Sequence, residues 1–122
     1  MAQDAIIQAR DLTMSYGRHR GIEDVTFDVH RGEVFGFLGP NGAGKTTTIR
    51  ILMDLIRPTG GGAWIFGLDV GAGGLDIRRR VGYLPGELRL YEHMRGEDFL
   101  RYLGNLQGDL DWGEVERLAD RL

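Results

Sequence analysis

Between Gly39 and Thr47 the chain reads Gly39-Pro40-Asn41-Gly42-Ala43-Gly44-Lys45-Thr46-Thr47, with glycine, lysine and threonine in the spacing GxxxxGK[ST]. That spacing suits one kind of chemistry. Glycines let the backbone curl until successive N–H groups point inward at an oxyanion. A helix opening at the end of the loop adds the positive end of its dipole. Lys45 is a compact cation on a long stem, able to reach the β- and γ-phosphates of a nucleoside triphosphate. The Thr46 hydroxyl stands where it can ligate a Mg²⁺ ion bridging the same phosphates, and Thr47 is within reach of the α-phosphate. The plain alternative is a glycine turn with a solvated lysine.

The flanking elements favour the phosphate reading, because such a loop must join a buried strand to a helix. Ahead of it, Val34-Phe35-Gly36-Phe37-Leu38 is a short continuous apolar run, expected to be a strand covered on both faces of a parallel sheet. Behind it, Ile49, Leu52, Met53 and Ile56 recur at i, i+3, i+4 and i+7, a helical stripe expected to stop before Pro58. Further out, Ile6 to Tyr16 reads as a strand, and Val25, Phe27 and Val29 alternate with polar residues as a half-buried strand does. Ala63–Phe66 and Val81–Leu84 are expected as short strands. Phe99, Tyr102, Leu103 and Leu106 form a second helical stripe. Asp111 with Glu114 forms a capping box, opening a third helix through Val115, Leu118 and Leu122. That last helix meets neither a cap nor a terminating glycine, so the chain is expected to be a portion of a longer domain.

Composition narrows the function classes. Apolar residues make up 42% of the 122, enough to bury a core, and the net charge of −3 is too near neutral for nucleic-acid binding by bulk electrostatics. With no cysteine there are no disulfides and no thiolate metal sites. No apolar run approaches the ~20 residues of a membrane-spanning helix, so membrane contact is expected only through a partner. His19, His30 and His93 are expected on the surface or in loops, and Arg78-Arg79-Arg80 on a solvated helix face.

Phosphate loops serve many enzymes, and the flanks choose among them. Leu12-Thr13-Met14-Ser15-Tyr16-Gly17 comes first, with Tyr16 standing 23 residues ahead of Gly39. The loop, Arg57-Pro58-Thr59-Gly60-Gly61 and Val81-Gly82-Tyr83-Leu84-Pro85 follow in that order. Together these resemble the ATP-binding cassette of ABC transporters, and Tyr83 to Glu92 looks most like the drug- and polysaccharide-export branch with ABC-2 type membrane partners. The resemblance implies an α/β fold: residues 1–122 as the N-terminal part of one cassette, a partial P-loop sheet with an antiparallel flank. It implies ATP and Mg²⁺ as ligands and gives Tyr16 the role of stacking on adenine.

The resemblance also implies a glutamine that touches Mg²⁺ near the γ-phosphate. By register it falls at Gly86, which has no side chain. Glu87 beside it is the candidate substitute at the metal, and a simple Pro85-Gly86 turn is the alternative. The signature motif, the strand bearing the catalytic carboxylate and the switch histidine of such cassettes are not found within these residues. The chain as given is therefore expected to bind ATP without hydrolysing it. The resemblance further implies a second ATPase subunit and a transmembrane permease as partners. No nucleic-acid partner is implied, and the location would be the cytoplasmic face of a membrane. Two rivals remain: an ABC-type ATPase without a membrane role, in DNA repair or on the ribosome, and a nucleotide-binding module without catalysis.

Overall fold

The computed structural model describes residues 4–39, 44–85, 91–108 and 110–122. The chain divides into two compact units, Met1–Gly82 and Tyr83–Leu122. In the first, β1 (Ala5–Tyr16) and β2 (His19–His30) form a long antiparallel hairpin through a turn at Gly17 and Arg18. β3 (Gly60–Ile65) pairs antiparallel with the other edge of β1, and a two-residue turn at Phe66-Gly67 returns the chain as β4 (Leu68–Asp69). The order across the sheet is β2-β1-β3-β4. Helices α1 (Lys45–Leu52) and α2 (Gly74–Arg78) supply Ile51 and Ile77 to a core that also contains Ala9, Leu12, Ile22, Ala63, Ile65 and Val70.

Both long strands change phase midway. In β1, Ala9 and then Leu12 are fully buried, three positions apart instead of two. The extra residue is Asp11, which takes a left-handed φ of 48°. In β2 the buried position Ile22 is followed by Val25 and Phe27 against the core, and Asp24 takes a φ of 51°. Each bulge would leave a backbone N–H without a ladder partner. Across the hairpin, the Asp11 N–H donates to the Thr26 hydroxyl at 2.9 Å and the Asp24 N–H donates to the Thr13 hydroxyl at 3.0 Å. Aspartate suits these positions because it is among the few non-glycine residues that tolerate the left-handed region. From Leu12 onward, alternation puts Met14 and Tyr16 on Leu12's face, the face that packs on α1.

Helix α1 ends earlier than the sequence suggests. Asp54 adopts a left-handed φ of 56°; its N–H donates to the Ile51 carbonyl at 3.0 Å and the Leu55 N–H to the Arg50 carbonyl at 2.9 Å. This paired closure is a Schellman motif, and it stops the helix at Leu52 before Pro58 is reached. Phe66 is also left-handed, with φ 54°, followed by Gly67 at 76°. Two such residues make the type I′ turn that matches strand twist, a position that favours asparagine or glycine over an aromatic.

Two expected strands do not form. Residues 33–39 lie outside any ladder, with Val34 fully exposed and Leu38 93% exposed. Val81–Leu84 is likewise unpaired, although Val81 packs against the core. A parallel strand exists only through its neighbours' hydrogen bonds, and among the described residues nothing pairs with either segment. Phe35 and Phe37 instead fold onto Phe27, with ring centroids 5.5 and 5.4 Å away. The described sheet is therefore antiparallel throughout, the flank of the expected fold without its parallel part.

The second unit holds α3 (Gly96–Gln107) and α4 (Trp112–Asp120). Asp111 caps α4, its carboxylate accepting from the Glu114 N–H at 3.1 Å. Glu114 turns outward to Arg117, whose guanidinium holds its carboxyl below the ordinary value. Tyr91 meets Phe99 and Tyr102 edge-on at 5.8 and 6.1 Å.

Ile51 ties α1 to the sheet with no exposed surface, so it anchors the helix that carries Lys45. Ile51→Ala is expected to cost about 2–5 kcal/mol, read as a lowered urea midpoint. An unchanged midpoint would show that α1 is not part of the cooperative core.

Candidate functional site

Gly44 is the hinge between the loop and α1. Its φ of 92° lies in the left-handed region, and it precedes the first helical residue, Lys45. The backbone here passes close to β2. A methyl group added at Gly44 would stand 2.2 Å from Ile22 Cγ2 and 2.8 Å from the Gly21 carbonyl oxygen. The Gly44 carbonyl is held from above by Thr48, whose N–H donates at 2.9 Å and whose buried hydroxyl donates at 3.0 Å. Only glycine meets both demands, the positive φ and the missing Cβ.

Tyr16 approaches the same stretch of β2 from the hairpin end. A methyl group on Gly21 would stand 2.8 Å from Tyr16 Cε2 and 2.9 Å from the Met14 carbonyl oxygen. Gly21 is the unpaired residue between the Met14↔Ile22 and Ser15↔Arg20 pairs, a second bulge in β2. The fold thus brings Tyr16 and Gly44 to adjoining parts of one bulged segment, Gly21-Ile22. Tyr16 remains 45% exposed.

At the start of α1, the N–H groups of Lys45, Thr46 and Thr47 have no intrahelical partner, as in any first helical turn. No acidic residue stands in that turn, so nothing there repels an anion. Thr46 is exposed, and the Lys45 ammonium donates to the Gly39 carbonyl, which ties the two ends of the loop together. Pro40, Asn41, Gly42 and Ala43 lie outside the described residues, as do Gly86 and Glu87. The helix end suits an anion, and a single threonine hydroxyl is a share of coordination that fits Mg²⁺, which keeps several waters and takes its other ligands from phosphate. Among the described residues there is no group of three or more metal-binding side chains that could cage a metal ion by itself.

Gly21 and Ile22 are the residues of this site that sequence reading did not single out. Their signal was present: a glycine inside a strand pattern marks a bulge or a close backbone approach.

Comparison with known proteins bears on the family and the fold. The family model for ABC transporters matches residues 22–122. The probable multidrug ABC transporter ATP-binding protein YbhF of Escherichia coli is 37% identical over 116 residues, 95% of this chain and 20% of that protein. The bacitracin transport ATP-binding protein BcrA of Bacillus licheniformis is 47% identical over 95 residues, covering 78% of this chain and 31% of that protein. The daunorubicin/doxorubicin resistance ATP-binding protein DrrA of Streptomyces peucetius is 38% identical over 95% of this chain and 35% of its own length. This chain therefore spans about a fifth to a third of these relatives. A solved ATP-binding subunit of an ABC transporter superposes with a TM-score of 0.75 at 38% identity, over 92% of this chain and 46% of that one.

Gly44→Ala places a methyl group inside van der Waals distance of β2 and forces an L-residue into φ 92°. The backbone strain alone is about 1–3 kcal/mol. A clear drop in Tm is expected, and a melt superimposable on the parent's would mean that α1 and β2 are not in this contact.

Proposed function

The chain belongs to the ABC transporter family, and from that premise we propose that its Gly39–Thr47 loop holds the phosphates of ATP while Tyr16 covers the adenine. The observation that carries this reading is the contact at Gly21-Ile22, where the loop's last glycine and the aromatic ring meet the same bulge. Lys45 then reaches the β- and γ-phosphates, helped by the first-turn N–H groups of α1. Thr46 contributes its hydroxyl to Mg²⁺, which, when bound, neutralises phosphate charge. Thr47 turns toward the α-phosphate. Glu87 is the candidate for a further contact near the metal.

In this reading the chain is the front part of an ATP-binding subunit that drives export through a transmembrane permease. A second ATPase subunit completes the nucleotide sites, and the permease holds the assembly on the cytoplasmic face of the membrane. No helix among the described residues is long and apolar enough to cross a membrane, which is consistent with a separate membrane partner. Drug-like cargo is the class suggested by relatives named as a probable multidrug ABC transporter protein, a bacitracin transport protein and a daunorubicin/doxorubicin resistance protein. Hydrolysis also needs a group that orients the attacking water. We assign that role to none of these residues, so the chain binds ATP without turnover.

Lys45→Ala removes a charge-assisted contact worth roughly 1.5–3 kcal/mol, or about tenfold to a hundredfold in affinity. A titration of a fluorescent ATP analogue reads this directly, and equal dissociation constants would overturn the assignment. Tyr16→Ala is expected to weaken ATP binding while leaving inorganic triphosphate binding unchanged, and Tyr16→Trp to keep both. If Tyr16→Ala binds ATP as the parent does, the ring is structural and not a nucleotide contact.

A further inference from the structure

The three arginines at the end of α2 differ in their partners. Arg78 pairs with Asp54 at 3.8 Å and Arg79 with Asp76 at 4.0 Å. Arg80 forms no ion pair among the described residues. Its guanidinium lies over the Phe66 ring, 3.8 Å from the centroid. A guanidinium resting on an aromatic face has its N–H donors directed outward in its own plane, and little freedom left to lose on binding. Phe66 is partly buried and packed against the core, which limits the freedom of its side chain.

This stacked pair lines a concavity of about 420 Å³, together with Asp4, Ala5, Ile6, Gln8, Arg31 and Gly67. Arg31 has no ion pair among the described residues either, although its N–H donates to the Asp4 carbonyl at 3.0 Å. Gln8 is half-buried, and its carboxamide is a further potential donor. Ala5 and Ile6 give the wall an apolar part. Asp4 is the one carboxylate present, and it pairs with neither arginine. Two cations without carboxylate partners, an amide and an apolar wall make a cleft of ligand size rather than ion size.

The geometry points to a second anion site here, separate from the phosphate loop, that takes an oxyanion carried on an apolar body. Arg80 and Arg31 supply the positive charge, with bidentate geometry available from the stacked guanidinium. Asp4 limits the charge that enters: it opposes a highly charged ligand and tolerates a singly or doubly charged one. The site lies in the first compact unit and uses none of the residues assigned to ATP.

The test is an NMR titration of the full ¹⁵N-labelled chain at constant ionic strength, with inorganic phosphate, phenyl phosphate and benzoate as probes and chloride as the reference. Saturable shifts are expected at the Gly67 N–H and at the Nε–Hε of Arg31 and Arg80, with phenyl phosphate tighter than inorganic phosphate. A stronger response to benzoate supports the site and names carboxylate as the source. Arg80→Gln and Arg31→Gln should each weaken binding about tenfold or more, Asp4→Asn should tighten it, and Lys45→Ala should leave it unchanged. Shifts that grow linearly with every probe, or that match chloride, overturn the proposal. So does saturation confined to Gly39–Thr47, or saturation that survives both arginine substitutions.

Discussion

At Gly44 the chain leaves the glycine-rich loop, turns through a left-handed φ and enters α1 with its backbone against Ile22 and the Gly21 carbonyl. Space for one hydrogen atom, and no more, exists at that point. The direction of α1, the height at which Lys45 emerges and the outlook of the first-turn N–H groups all follow from this approach. Thr48 fixes it from the helix side by donating twice to the Gly44 carbonyl. Ile51, one turn further, fixes it from the core. An anion-binding helix end is useful only when it is held still, because every N–H that must reorganise on binding subtracts from affinity.

The β-hairpin makes that approach possible. With a regular ladder in place of the bulge at Asp11, alternation from Ala9 would carry Leu12, Met14 and Tyr16 to the face opposite the core. Without the one at Asp24, Ile22 would leave the position on which Gly44 rests. The two bulges are cross-supported by Thr26 and Thr13, so neither leaves an N–H unsatisfied. A change of phase in two strands thus brings Tyr16 and Gly44 to the same stretch of β2. Gly21 completes the arrangement by leaving room for the ring edge. The close approaches at Gly44 and Gly21 are steric, and hydrogen bonds from the two bulges support them.

Much of this was legible in the residues themselves. The loop motif is local and its spacing is its chemistry, so the start of α1 behind it could be read directly, whereas the strand expected ahead of it at Val34–Leu38 does not form. The hairpin strands showed their alternation, and the Asp111 cap showed itself through Glu114 three positions on. What escaped reading depended on partners or on rare backbone states. Val34–Leu38 has the composition of a doubly covered strand, but composition says nothing of whether neighbours are there to pair with it. The end of α1 was assigned to Pro58 because proline is a strong signal, whereas a left-handed aspartate at Asp54 is a weak one. Asp11 and Asp24 were invisible for the same reason, and with them the role of Gly21-Ile22. Four residues of the loop and the Gly86-Glu87 pair lie outside the described residues.

In the proposed nucleotide site, Gly21-Ile22 brings one aromatic ring and one glycine-rich loop into position for a single nucleotide. Nuclear Overhauser contacts in the chain saturated with ATP and Mg²⁺ test it most directly. Cross-peaks are expected between the adenine H2 or H8 proton and the Tyr16 ring, in the same sample in which the Gly44 and Lys45 amides shift. Shifted loop amides with no contact between adenine and Tyr16, or adenine contacts to a different part of the chain, would contradict it.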